Sequence, residues 1–174
     1  LRQLILIMAA VDTLWNIYSA IKDWIILSDA KATAILAFYG VIGGVAFPEL
    51  HSYQEHLMSD PLHFVLLIIG LVFSICSILF AFLCLNPRES VGEPTSLIFY
   101  RHIVDKFTKP EDYCREVNTT LSDEDATVEQ IGSQVWALSL IAKRKFEYIT
   151  WAIRTLFISM IVGVAGIFHI IFWG

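Results

Sequence analysis

The stretch Pro61 to Cys84, PLHFVLLIIGLVFSICSILFAFLC, runs for 24 residues without an Asp, Glu, Lys or Arg. As a helix it rises about 36 Å, enough to cross a bilayer core of about 30 Å with some tilt. A second such stretch, Thr155 to Trp173, has 19 residues, a single His169 as its titratable group, and a closing Trp suited to the headgroup layer. The whole chain follows suit, with 56% hydrophobic and 17% charged residues among 174. Soluble domains sit nearer half apolar and a quarter charged. A third segment is shorter: Ala32 to Phe47 holds 16 uncharged residues, a rise of about 24 Å. It spans only if Lys31 snorkels to the surface and the helix continues back through Trp24 to Leu27. It faces the Pro61 segment across the 13 residues PELHSYQEHLMSD, so the two form a helical hairpin.

Orientation follows from Lys and Arg. The hairpin loop has none, whereas Pro87 to Glu147 carries eight, and Arg2, Lys22 and Lys31 precede the first span. The positive-inside rule therefore sets the N-terminal part and the long insert in the cytoplasm, with the acidic loop outside. Asp12, Asn16, Ser19 and Asp23 form a polar stripe at helical spacing on an otherwise apolar N-terminal segment. One long helix from there into the first span is the natural reading. A fourth span through Leu4 to Val11 is the alternative, with eight clean residues. No cleavable signal peptide is expected, since no small-residue cleavage site follows the first apolar run.

The insert reads as helical. Pro94 suits a first turn, and Leu97, Tyr100, Val104 and Phe107 form an apolar stripe ahead of Lys109-Pro110. A short helix is expected over Glu111 to Val117. Ser122, with Asp125 three residues on, resembles a capping box. From there Val128, Ile131, Val135, Leu138 and Ala142 continue an apolar face that leads without a proline into the last span. The expected fold is thus an all-α membrane protein with three transmembrane helices. An N-terminal amphipathic cytoplasmic helix covers 1–29, and a hairpin covers 30–85, with spans at about 30–47 and 61–84. A cytoplasmic helical insert covers 86–147, and a C-terminal span covers 148–174.

No catalytic residue stands out: there is no Gly-rich phosphate loop, G-x-S-x-G, paired-Cys ligand set or H-E-x-x-H. Cys76, Cys84 and Cys114 make neither a disulfide framework nor a metal spacing. His51, His56 and His63, with Glu49 and Glu55, crowd the hairpin loop, but a solvated polar loop is the commoner explanation, so no metal or cofactor is expected. The net charge of −5 argues against nucleic acid as a partner. Two cationic clusters flank the spans, one with Arg88, Tyr100 and Arg101 and one with Arg144 and Lys145. Either they anchor the helices at the headgroups, or they converge on a small anionic ligand, with Arg on phosphate and an aromatic on a base. Gly40 and Gly44 form G-x-x-x-G, which permits close helix contact within or between protomers. Arg154 near the last span and Asp29 beside the first are both costly in hydrocarbon and call for partners. Asp29 and Lys31, two apart, point to different helix faces. A cation such as Arg154 or Lys145 therefore suits Asp29, while Lys31 reaches the headgroups.

Three stretches in order resemble the Pycsar effector transmembrane family. They are WIILSDAKATAILAFYG from Trp24, then NPR from Asn86 with SLIFYRHI from Ser96, and EQIGSQVWALSLIAKRKFEYITWAI from Glu129. Departures are Ser28 where Ala is usual, Tyr39 near a usual Asn, and Tyr100-Arg101 where Phe-Gly is usual. The resemblance implies a bacterial anti-phage effector of the inner membrane. A partner cyclase encoded nearby would make cyclic CMP or cyclic UMP on infection, and the effector would then impair the membrane as a homo-oligomer. A passive membrane anchor that recruits a signalling partner through the insert is the alternative.

Overall fold

The computed structural model describes residues 2–50, 61–86 and 96–173. Its elements are helices throughout: α1 (Arg2–Leu50), α2 (Pro61–Leu85), α3 (Tyr100–Lys106), α4 (Pro110–Leu121) and α5 (Glu124–Trp173). Three of them, α1, α2 and α5, contain segments long and apolar enough to cross a membrane: Ala9–Ala46, Pro61–Leu85 and Glu124–Ile170. The N-terminal segment is continuous with the first span in α1, so Leu4 to Val11 forms no separate fourth helix. The chain divides into two compact units, one from Leu1–Ile26 and Pro87–Lys143, the other from Leu27–Asn86 and Arg144–Gly174.

In the second unit, α2 and α5 run antiparallel, and polar and small side chains mark the contact. Ser77 Oγ donates to the Ala152 carbonyl at 2.8 Å, and the Ser74 and Ser159 hydroxyls bond each other at 2.7 Å. Gly70 faces Val162, and His63 Nε2 meets His169 Nδ1 at 2.8 Å. His63, Gly70, Ser77 and Cys84 recur every seven residues, the spacing that keeps one helix face against a partner. Small side chains on that face let the backbones approach, as association between membrane helices requires. The core beside them consists of Ala32 and Ile35 from α1, Ala81 and Cys84 from α2, and Ile149 and Ala152 from α5.

The G-x-x-x-G face makes no close contact among the described residues. Gly40 and Gly44 are exposed, and a Cβ on either would meet nothing within 4 Å. Their small size therefore serves no contact among the described residues. The helix surface from Gly40 to Ala46 is exposed apart from a half-covered Gly43.

In the first unit the order departs locally from the sequence reading. The Ser96 Oγ accepts the Ile98 and Phe99 amides at 3.2 Å each, holding a non-helical Ser96 to Phe99 segment, so α3 starts only at Tyr100. Leu97 is consequently buried out of register with Val104, which is 72% exposed; the four-residue stripe does not form. Pro94 lies outside the described residues. Helix α4 extends to Leu121, past the expected Val117. The cap of α5 is Asp123 rather than Ser122: Asp123 Oδ1 accepts the Asp125 and Ala126 amides, while the Ser122 hydroxyl donates back to Asn118. On α5, Ile131 and Ala142 of the expected apolar face are buried.

A leucine at Ser77 would overpack the α2–α5 contact and remove its hydrogen bond. Ser77→Leu should cost about 1–3 kcal/mol or more, read as a lower thermal midpoint in detergent. Gly70→Ala should be nearly silent, because its new Cβ would sit 3.5 Å from Val162, an ordinary contact.

Candidate functional site: a lysine that ties three helices

At the end of the second unit where α2 finishes, one ammonium group meets all three helices. Lys145 Nζ on α5 donates to Asp29 Oδ1 on α1 at 2.5 Å and to the Cys84 carbonyl of α2 at 2.9 Å. The Lys145 side chain is only 13% exposed and that of Asp29 37%.

Each partner is there for a local reason. Cys84 lies in the last turn of α2, whose final carbonyls have no acceptor role within the helix. A cation at that end supplies a donor and meets the negative end of the helix dipole. Asp29 supplies the opposite charge that a half-buried ammonium requires, because an uncompensated charge out of water is expensive. The approach itself depends on small residues. Ser28, Ala32, Ala81, Cys84 and Ala152 are fully buried, and the Cys84 thiol lies 3.8 Å from the Ser28 carbonyl, a weak S–H donor contact. Ser28, the departure from the usual Ala, is accommodated because its one extra oxygen still leaves a small side chain.

Lys31 is exposed and makes no hydrogen bond or ion pair among the described residues. Arg154 is exposed and stands 5.2 Å above the Trp151 ring, so of the two cations expected for Asp29, Lys145 is the partner. Arg144, adjacent to Lys145, is exposed. Arg101, in the first unit, pairs with Asp105 at 3.7 Å on the α3 surface, a contact of small energetic weight. Arg88, His51, Glu55 and His56 lie outside the described residues, as do the side chains of Glu49 and Tyr100. Among the described residues no group of three or more metal-ligating side chains gathers.

The first unit holds a second constellation that the sequence reading did not single out. Both backbone polar groups of Leu97 are held by side chains: its amide donates to Gln130 Oε1 at 3.3 Å, and its carbonyl accepts from the Tyr113 hydroxyl at 3.0 Å. Beside them opens a cleft of about 380 Å³ that includes Trp15, Val117, Thr120 and Thr127 in its lining. The only sequence signal for it was that Leu97 and Gln130 belong to two of the recognised stretches.

A family model described as the Pycsar effector protein domain, PycTM, matches residues 13–172. The chain belongs to the Pycsar effector family. This Pycsar effector is 30% identical over 159 residues to the Pycsar effector protein PtPycTM of Propioniciclava tarda, across 88% of this chain and 73% of the relative. No solved structure matches it. Its family makes it a membrane protein of anti-phage defence. Of the three stretches through which the sequence resembles other Pycsar effectors, the first contributes Asp29 and the third Lys145, and these two meet in the junction.

Loss of Asp29 leaves a largely covered ammonium with only the Cys84 carbonyl. Asp29→Ala should therefore abolish or strongly reduce phage protection at matched membrane expression, while Lys31→Ala stays close to wild type. The exchanged pair Asp29→Lys with Lys145→Asp should fail to restore protection, since an aspartate at 145 would face the Cys84 carbonyl. Full recovery by the exchange would show that only net charge matters at this point.

Proposed function

We propose that this chain is a non-enzymatic effector of the bacterial inner membrane, activated by a cyclic pyrimidine mononucleotide and acting by impairing membrane integrity. The messenger, cyclic CMP or cyclic UMP, would come from a partner cyclase encoded nearby. Residues 1–29 and 86–147 face the cytoplasm in this reading, in keeping with the excess of Lys and Arg on those segments.

The observation that carries the mechanism is the Lys145 junction. Helix α5 is unbroken from Glu124 to Trp173, and in this reading Lys145 lies on it just before the stretch that crosses the membrane. A messenger that shifts the cytoplasmic part of α5 would pull on the residue that holds α1 and α2 together. Releasing a half-buried ion pair changes the preferred packing by enough to shift a two-state equilibrium, since 1.4 kcal/mol is a factor of ten. Three helices leave little room for an aqueous path, so the conducting or membrane-disrupting state is an oligomer. The exposed Gly40–Gly44 face supports that, because it suits close packing against a second copy. Arg88, Arg101, Arg144 and Tyr100 remain the candidates for the phosphate and base of the messenger, with Arg suited to bidentate phosphate contacts.

Purified protein in liposomes should release a trapped ion or dye on addition of cyclic CMP or cyclic UMP, and adenine cyclic nucleotides should be inert. Leakage should fall steeply in Asp29→Ala. A protein that binds the messenger yet never leaks would instead be a passive anchor for a signalling partner.

A further inference from the structure

The charge-free cleft in the first unit has the chemistry of a site for a flat heteroaromatic ring. Its volume of about 380 Å³ lies at the small end of ligand sites, fitting a small molecule rather than a protein segment. Trp15 lines it from α1, 42% exposed, with its indole held by an edge-on contact to Tyr18 at 5.4 Å between centroids. A fixed, half-open indole is a stacking surface for any planar ring.

The polar groups around it differ in how fully they are used. The Tyr113 hydroxyl donates to Leu97, and the Thr127 hydroxyl donates to the Thr120 and Asp123 carbonyls. Among the described residues the Gln130 side chain is engaged through Oε1 alone, by the Leu97 amide, which orients its carboxamide. Its NH2 group has no partner among the described residues, and neither has the Thr120 hydroxyl. Both residues are half-buried at the cleft. A carboxamide donor and a rotatable hydroxyl beside a stacking face can read the hydrogen-bonding edge of a base. None of the lining residues is charged, so an anionic phosphate would stay at the mouth in water instead of entering.

We infer that this cleft receives the pyrimidine ring of the messenger, stacked on Trp15 and held at its edge by Gln130 and Thr120. This rests on the reading above that the chain itself binds a cyclic pyrimidine nucleotide, and it moves the base from Tyr100 to Trp15. The hydroxyl of Thr120 donates or accepts as required, so the two residues fit the edge of cytosine and of uracil alike. Gln130 also lies on α5, fifteen residues before Lys145 on the same helix, so occupancy of the cleft acts on the element that carries the junction.

The test is calorimetric titration of cyclic CMP and cyclic UMP into the full-length protein in detergent, comparing wild type with Trp15→Ala, Trp15→Phe and Gln130→Glu. The glutamate keeps the acceptor for Leu97 but loses the donor. Trp15→Ala should weaken binding by about 5- to 150-fold, Trp15→Phe much less, and Gln130→Glu at least several-fold, with unfolding temperatures of the latter two close to wild type. Wild-type affinity in all three variants would overturn the cleft assignment while leaving direct messenger binding intact. If wild type itself binds neither nucleotide, the reading beneath it fails as well.

Discussion

A primary ammonium that is mostly removed from water must find acceptors, and in this protein those acceptors lie on two other helices. Lys145 reaches Asp29 and the Cys84 carbonyl because Ser28, Ala32, Ala81, Cys84 and Ala152 are small enough to bring α1, α2 and α5 together around it. Neither half of that arrangement works alone. Small residues in lipid gain little from association without specific contacts, and an ion pair held by loosely packed helices would be wetted and weak. The seam of Ser77, Ser74 and Gly70 continues the same principle along α2, with one hydrogen bond or close contact at each turn or two.

Much of this was legible in the sequence, and the rest was hidden for physical reasons. The charge-free run of α2 can be little other than a span, and an aspartate at the edge of a short span requires a cation. That is why the sequence alone pairs Asp29 with Lys145 or Arg154. Which of the two it meets depends on helix rotation, and a uniformly apolar segment carries no periodic signal for rotation. The same uniformity concealed the contact face of α2. There, nothing in the sequence singled out Ser74 or Ser77, while the visible G-x-x-x-G at Gly40 drew attention to a face that no described residue covers. Only the seven-residue recurrence of His63, Gly70, Ser77 and Cys84 could have revealed it.

The insert shows a different limit. Apolar spacing predicted a stripe through Leu97 and Val104, but the Ser96 hydroxyl captures two amides and delays the helix by a few residues, turning Leu97 inward and Val104 out. Local competition between side chain and backbone for the same amide overrides periodicity. The displaced segment is then fastened by Tyr113 and Gln130, residues that looked unremarkable in a polar stretch, and the cleft exists because of that fastening. Both constellations thus draw on the third recognised stretch, which lies on α5, joined to the first stretch at Asp29 and to the second at Leu97.

The junction depends on Lys145 and Asp29 being energetically coupled rather than merely adjacent. A double-mutant cycle on Asp29→Ala and Lys145→Met, read as unfolding free energies of the full-length protein in one detergent, measures that coupling directly. The structure predicts that the double variant loses less stability than the two single losses combined, by about 1–3 kcal/mol. Strictly additive losses would contradict it, leaving the pair as two independent residues at a membrane edge.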